Sequence, residues 1–427
     1  MQTLFTPKQL TDPDIQAAEA ELRKCVHCGF CTATCPTFVL LGDELDSPRG
    51  RIHIIKDMLE NDKPAGAGIV KHIDRCLSCL SCMTTCPSDV NYMRLIDHAR
   101  THASRTHDRP LAERTLRLLL SIALPRPWIL RALLIAGWFL RPVSGLMPGR
   151  LKVALKMTPK SIPSPSWVDR PQVFPARGPK RKRMAIMTGC AQKVLRPSIN
   201  EATIRLLNRH GVEVVHARGT ECCGALAHHM GKEDAGRRAA KANIEAWMRE
   251  YNRSGLDAIV VNASGCGTMV KDYGHMFRND PDHAEKAARI SALAKDIAEV
   301  AMELGLRDIS KEPRPVVTYH SACSMQHGQR LKTEPKTLLT LAGFEIRPVK
   351  EEHLCCGSAG TYNIMQPEIA NRLRDRKVAN LKAAGGEVVA TGNIGCLTQL
   401  GPAIDIPVIH TVELLDWATG GPKPDGL

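Results

Sequence analysis

Aromatic side chains are scarce in this sequence, at 4% of 427 residues. The core must therefore be built mainly from aliphatic side chains, and few rings are left on which nucleic-acid bases could stack. No apolar stretch approaches the roughly 18–20 residues that cross a bilayer as one helix, so integral membrane insertion is not expected. The N-terminal stretch MQTLFTPKQLTDPDIQAAEAELRK has no apolar core of the secretory kind, and the expected compartment is the cytoplasm, where thiols stay reduced. A G-x-G-x-x-G run that follows a strand and cradles a dinucleotide pyrophosphate is also missing. Gly357 and Gly360 stand too close together for it and follow cysteines.

Acidic residues are sparse in one segment. Residues 94–183 hold 19 Lys/Arg against 4 Asp/Glu, a surplus of +15, so the rest of the +14 chain stands near −1. A basic stretch of this kind meets anionic lipid, an acidic partner or nucleic acid. With no nucleic-acid motif present, nucleic acid is not expected as a partner.

What the chain does have is 16 cysteines. Residues 25–36 read CVHCGFCTATCP and residues 76–87 read CLSCLSCMTTCP, both C-x2-C-x2-C-x3-C-P. Three closely spaced cysteines on a wrapping loop reach three corners of an iron–sulfur cube, and the fourth is thrown toward the other cluster. One [4Fe–4S] cluster is thus assigned to Cys25, Cys28, Cys31 and Cys86, the other to Cys76, Cys79, Cys82 and Cys35. Zinc prefers four ligands from two separated pairs, which these runs do not offer. His27 lies inside a cluster loop whose four cysteines are all present, so it is read as flanking or solvent-facing. Between the runs, Ser47 and Pro48 predict a helix start, with Ile52, Ile54, Ile55, Met58 and Leu59 on its buried side. Arg49 and Arg51 are read either as steering an anionic partner or as a solvated first turn.

Residues 111–142 are apolar but punctuated by Arg117, Arg126, Arg131 and Arg141, with Trp128, Trp138 and Phe139 interleaved. Pro125 and Pro127 divide the stretch into two helices. Three readings stand: helices lying on a membrane surface, helices docking a partner subunit, or a pair packed on the protein's own domains. Prolines 159, 163, 165, 171, 175 and 179 then mark an extended linker, whose closing KRKR run is read as solvated.

The other eight cysteines fall into two matching sets: Cys190, Cys222, Cys223 and Cys266, then Cys323, Cys355, Cys356 and Cys396. In each set the first cysteine precedes the Cys-Cys-Gly by 32 residues, and the later gaps are 43 and 40. Such agreement signals an internal repeat. A β-rich run precedes the first cysteine of each set (MAIMTG; PVVTYH), a helix follows (ATIRLLNRHG; PKTLLTLAGF), and an apolar strand leads to the last cysteine, so two α/β units are expected. The side chains of adjacent cysteines diverge, which suits a multi-iron group better than one tetrahedral ion. Further iron–sulfur, zinc, a redox thiol and plain burial all remain open for these sets. His320, His327 and His353 lie nearby in sequence.

The expected architecture is mixed. An α-helical two-cluster ferredoxin-like domain covers 1–100, basic amphipathic helices 101–158, a proline-rich linker 159–183, and two α/β Cys-Cys-Gly repeats 184–310 and 311–427.

The strings CVHCGFCTATCPT, LLGDELDSPRGRI, NASGCGTMVKDYG and HLCCGSAGTYN resemble the iron–sulfur subunits of quinone-linked hydroxy-acid dehydrogenases, glycolate oxidase above all, over nearly the whole chain. The resemblance implies an electron-transfer subunit of a glycolate dehydrogenase complex. In it, FAD on a partner subunit oxidises glycolate to glyoxylate, and this chain passes single electrons toward quinone while attached peripherally to the inner face of the cytoplasmic membrane. Lactate and glycerol-3-phosphate systems share the architecture, and a heterodisulfide-reductase-like thiol/disulfide oxidoreductase is the alternative. Against that alternative, heterodisulfide reductase repeats end in C-x-x-C. Here Cys266 is followed by Met269 and Cys396 by Gln399.

Overall fold

The computed structural model describes residues 1–146, 155, 158–159 and 161–427. Most of the end of the segment expected as basic helices, and Lys160 of the linker, lie outside the described residues.

The N-terminal part is built from the helices Pro13–Lys24, Pro36–Leu41, Pro48–Glu60, Ala67–Asp74, Ser81–Thr85 and Tyr92–Thr106. Asp12 starts the first by accepting from the Asp14 amide, and Ser47 starts the third by accepting from the Gly50 amide, each followed by proline. Ile52, Ile55, Met58 and Leu59 pack with Leu22, Ile73, Leu95 and Ile96, while Ile54 is half-buried. Each such side chain withdrawn from water contributes about 1.5–3 kcal/mol.

Arg51 corrects the sequence reading. It neither steers a partner nor lies in a solvated turn, because it falls in helical phase with Ile55 and Met58 and is 1% exposed. A buried guanidinium must be bonded. Arg51 donates to the His72 carbonyl (2.7 Å), Thr37 Oγ1 (3.1 Å) and Asp46 Oδ1 (3.2 Å). Asp46 is held in turn by His72 Nδ1 at 2.9 Å and Arg75 Nη1 at 2.6 Å. Arg49 does stay at the surface, bonded to Glu44 at 2.6 Å.

The C-terminal half carries nine strands among the described residues: β1 (Gln172–Phe174), β2 (Lys182–Met187), β3 (Val212–His216), β4 (Ala258–Val261), β5 (Ala294–Asp296), β6 (Val317–Tyr319), β7 (Ile346–Arg347), β8 (Val388–Thr391) and β9 (Val408–His410). They form two sheets, ordered β1-β3-β2-β4-β5 and β7-β6-β8-β9. All pairs are parallel except β1 on β3, with Met187 opposite Val261 in the first sheet and Tyr319 opposite Ala390 in the second. Parallel pairs need crossover helices that cover both faces, which is why β4 and β8 are buried along their whole length. The order β3-β2-β4-β5 recurs as β7-β6-β8-β9, so the repeat seen in the cysteine spacing is a repeat of the fold.

Both repeats contribute to one apolar core, with Ile186, Leu206 and Val260 from the first and Val317, Val388 and Leu415 from the second. Helix Ser198–Arg209 packs on Thr411–Ala418, where buried Asp416 accepts from Arg205 Nε at 2.8 Å and from Arg209.

The proline-rich stretch is not all linker. Gln172–Phe174 adds an antiparallel edge strand, and Val168 and Phe174 are buried in the shared core. The KRKR run is not all solvated either. Its last residue, Arg183, lies within β2 and bonds Glu213 at 3.0 Å and Glu250 at 2.7 Å.

The basic middle forms helices Leu111–Ala123 and Pro127–Leu140, bent by 119° at the break that Pro125 and Pro127 impose. Among the described residues, no single helix is long and apolar enough to cross a membrane. The polar side of the first helix is tied down: Arg117 bonds Asp74 at 2.8 Å, and Lys232 donates to Ser121 at 2.7 Å. Among the described residues the apolar side is uncovered, with Leu118, Leu119, Trp128, Leu133 and Phe139 all exposed. A pair packed wholly on the protein's own domains is therefore not what forms.

Candidate metal centres

The two cysteine runs line two adjoining cavities. The first is lined by Cys25, Cys28, Cys31 and Cys86, and the second by Cys35, Cys76, Cys79 and Cys82, with Cys82, Pro48 and Tyr92 in the wall they share. The last cysteine of each run thus lines the other run's cavity. The two loops have the same backbone. His27 and Ser78, two residues after each first cysteine, have φ of +56° and +50°, and Gly29 and Leu80, one residue after each second cysteine, have φ of +86° and +62°. These left-handed positions are costly for all but glycine, and they curl each loop around its cavity. In the second loop the Ser78 amide is brought to 3.5 Å from the Cys76 sulfur.

The surroundings of the second cavity are polar and buried. Thr37 Oγ1 lies 3.3 Å from Cys35 Sγ, while Arg51 Nη1 and the Tyr92 hydroxyl each lie 3.9 Å from a sulfur, of Cys35 and Cys76 respectively. Spacing could not reveal Arg51, but its place in the Ile55–Met58 phase could have. Burial pushes the Cys31 thiol up to about 11, and pushes Cys79 and Cys82 well above the usual thiol range. Such thiols keep their protons until a cation takes their place, which is how thiolate–metal sites load. The four sulfur donors assigned to each cavity fit the cubane group, which takes one thiolate at each of its four irons. His27 lines the first cavity, edge-on to His53, and its Nε2 is buried without a partner.

The Cys-Cys-Gly sets lie beyond the carboxyl ends of β2 and β4 in one repeat and of β6 and β8 in the other, where parallel sheets commonly hold ligands. The glycine of each motif is dictated by packing. Gly224 has φ +88° and a Cβ there would lie 2.6 Å from the Gly236 carbonyl oxygen; Gly357 has φ +86° and a Cβ would lie 2.4 Å from that of Ala370. In the first set Cys190 bonds Cys222 and Cys223 bonds Cys266. Hydrogen bonds from Cys190 and Cys223 hold the Cys222 thiol well below its usual range. In the second set Cys323 and Cys355 sulfurs are 3.7 Å apart, and Cys356 and Cys396 sulfurs 3.5 Å apart. The adjacent cysteines stay in contact with each other, and each also joins a partner from elsewhere in its set.

Of the nearby histidines, only His320 joins the set. It is 2% exposed, and burial pulls its imidazole down to about 3, so it is neutral. His327 instead bonds Thr84 at 2.7 Å and the His353 carbonyl at 3.3 Å. Lys377, buried beside Cys355 and Cys356, donates to the Glu351 carbonyl at 2.7 Å; burial pulls its ammonium below the usual lysine range, and the two cysteines offset this in part.

The two sets meet the N-terminal part differently. Cys355 and Cys323 share an apolar cluster with Cys79, Leu77 and Tyr362, and the Tyr362 hydroxyl donates to the Arg75 carbonyl at 2.9 Å. The first repeat contacts helix Tyr92–Thr106 instead, through Asp97 with His228 (3.5 Å) and His229 (3.3 Å), and Arg94 with Asp272 (2.6 Å).

Comparison with known proteins agrees with this geometry. A "4Fe-4S dicluster domain" model matches residues 21–90, and a "Cysteine-rich domain" model matches twice, at 184–271 and 317–401. The chain is 41% identical to the glycolate oxidase iron–sulfur subunit of Escherichia coli (strain K12) over 419 residues, 98% of this chain and 99% of that protein. It is 32% identical to the probable glycolate oxidase iron–sulfur subunit of Bacillus subtilis (strain 168), covering 94% and 95%. Lactate utilization protein A of the same organism is 28% identical, over 55% of this chain and 99% of that protein.

Proposed function

Because this chain belongs to the family of glycolate oxidase iron–sulfur subunits, we propose that it is the electron relay of a glycolate dehydrogenase complex, taking electrons from a flavin-bearing partner and passing them toward a membrane quinone. The observation that carries this reading is the pair of adjoining cysteine-lined cavities, which share Cys82 and each take the last cysteine of the other run, matched by a dicluster model. Cys25, Cys28, Cys31 and Cys86 would hold one [4Fe–4S] cluster, and Cys35, Cys76, Cys79 and Cys82 the other. Bound there, the clusters supply one-electron storage, which lets a two-electron oxidation be passed on in single steps.

The chain's own residues do the rest. Arg51 brings a buried positive charge to Cys35 of the second site, and the Tyr92 hydroxyl reaches Cys76. A cation and a donor at the sulfurs favour the more reduced, more negative state and raise the potential. The first site is the more open: Cys28 and Val26 are exposed, while the second is covered by the second repeat. The exposed face of the first site suits docking of the flavin partner, and the contact of Cys79 with Cys323 and Cys355 leads inward. The uncovered, arginine-flanked face of the bent helix pair supports peripheral attachment to an anionic membrane surface. Glycolate is favoured over lactate as the complex's substrate because the glycolate relatives match end to end, whereas the lactate utilization protein spans 55% of the chain.

Replacement of Cys28 by serine tests the relay. In the assembled complex Cys28→Ser should lose glycolate-dependent quinone reduction while glycolate still binds to the flavin subunit. Undiminished quinone reduction in that variant would overturn the assignment.

A further inference from the structure

The two Cys-Cys-Gly sets are matched in spacing but not in surroundings. Three residues before the first cysteine of each set stand Met187 in one repeat and His320 in the other. Met187 packs its thioether into the apolar core of the first repeat. In the second repeat, a ring nitrogen of His320 and the sulfurs of Cys356 and Cys396 all lie within 4.8 Å of one another, and all three residues are buried. His320 Nε2 has no hydrogen-bond partner there. An unpartnered imidazole nitrogen at such depth is costly unless something occupies it.

Distances add a second observation. Around one tetrahedral zinc with bonds of about 2.3 Å, two sulfurs stand about 3.8 Å apart. The Cys356–Cys396 separation of 3.5 Å is near that edge, as is the 3.7 Å of Cys323–Cys355. Each pair is held by a thiol–thiol hydrogen bond at a separation that one metal atom in the proton's place would keep, and among the described residues His320 stands only beside the Cys356–Cys396 pair.

A third observation is a further exchange of side chains. Seven residues beyond the carbonyl against which each motif glycine packs (Gly236, Ala370) stand Asn243 and Lys377. Asn243 donates to the Cys222 carbonyl, a neutral contact. Lys377, buried and donating to the Glu351 carbonyl at 2.7 Å, puts an amine where the first repeat has that amide. Imidazole and amine therefore both distinguish the second repeat from the first.

We propose that the second repeat holds a thiophilic metal, either zinc or the iron of an iron–sulfur group, with His320 as its nitrogen ligand beside Cys356 and Cys396. The first repeat, with Met187 in place of the imidazole, does not build this mixed nitrogen–sulfur site. The inference stands apart from the relay reading and survives that reading's failure.

The test uses the full chain purified without oxygen, as wild type, His320→Ala and His320→Cys. Zinc, iron and sulfide are counted per chain. The metal beyond the ferredoxin irons is then examined for nitrogen ligation, by X-ray absorption if it is zinc and by ¹⁴N spin-echo modulation of the reduced protein if it is iron. The expected wild-type result is such a metal with nitrogen in its shell. Either zinc or iron supports the site, and the metal count identifies which. His320→Ala should weaken retention against a chelator at least tenfold, by analogy with the roughly 10–100-fold lost when only a supporting residue is removed. His320→Cys should keep the metal and lose the nitrogen signature. No metal beyond the ferredoxin irons in wild type, an all-sulfur shell, or equal retention in His320→Ala would each overturn the proposal. The wild-type nitrogen signature decides the matter even if His320→Ala fails to fold.

Discussion

At Arg51, one side chain joins the N-terminal core to the second cysteine site. Asp46, with no exposed surface, depends on Arg51, His72 and Arg75. Arg51→Met should leave that carboxylate short of a partner and cost about 3–5 kcal/mol, the usual penalty for breaking a buried ion pair from one side. The expected readout is a lowered midpoint for heat bleaching of the cluster absorbance, partly restored in Arg51→Met/Asp46→Asn. Gly357 makes a second residue-scale case. Gly357→Ala meets both a positive φ and the Ala370 carbonyl, whereas Gly385, at φ +73°, has open space around it. Gly357→Ala should therefore destabilise by clearly more than Gly385→Ala, which should lose about 1 kcal/mol from backbone strain alone. Equal effects in thermal melts would mean the packing at Gly357 does not matter. The cysteines were legible because ligand spacing is written along the chain. Arg51 was not, because a charge in a first helical turn reads as solvated unless its phase with Ile55 and Met58 is given more weight. Lys377 and the His320 nitrogen were not, because their neighbours are distant in sequence.

Elements carry the contacts with other surfaces. The bent pair Leu111–Ala123 and Pro127–Leu140 was legible from its two prolines, but only the structure shows its apolar side uncovered. Trp128→Ser/Phe139→Ser should weaken flotation with anionic vesicles at least tenfold, since each large apolar side chain is worth about 1.5–3 kcal/mol when withdrawn from water. Unchanged flotation would assign that face to a partner subunit.

Helix Tyr92–Thr106 meets the first repeat through Asp97, and this contact should depend on pH. Burial alone would lower His228, but Asp97 outweighs it and holds His228 above its ordinary 6.5. Burial alone would raise Asp97, but His229 and His228 hold it well below its ordinary 3.8. A raised histidine contributes stability that is complete below about 6.5 and is lost as pH rises through its folded value; a depressed carboxylate contributes stability that is lost as pH falls below about 3.8. The contact is therefore strongest between those limits. The thermal midpoint should fall as pH rises above about 6.5, and Asp97→Asn should flatten that slope. An unchanged slope in Asp97→Asn would place the pH dependence elsewhere.

Over the whole molecule, the repeat was legible as equal spacing, and the structure returns it as two sheets of the same strand order. Two further properties were not legible. The repeats share one core and so do not behave as beads on a linker, and the stretch expected as linker supplies an edge strand to the first sheet. Pairing of that kind is set by tertiary contacts, which local composition does not encode. The repeats are also unequal in placement, since only the second reaches Cys79 with its own cysteines. That arrangement puts the second repeat in direct contact with Cys79 of the second cysteine run. Iron and acid-labile sulfide per chain in the anaerobically purified protein, with the spectrum of its reduced form, test the central claim of two neighbouring [4Fe–4S] clusters most directly. At least about eight irons with matching sulfide and two magnetically interacting cluster signals are expected. About four irons, or zinc in their place with no paired signal, would contradict it.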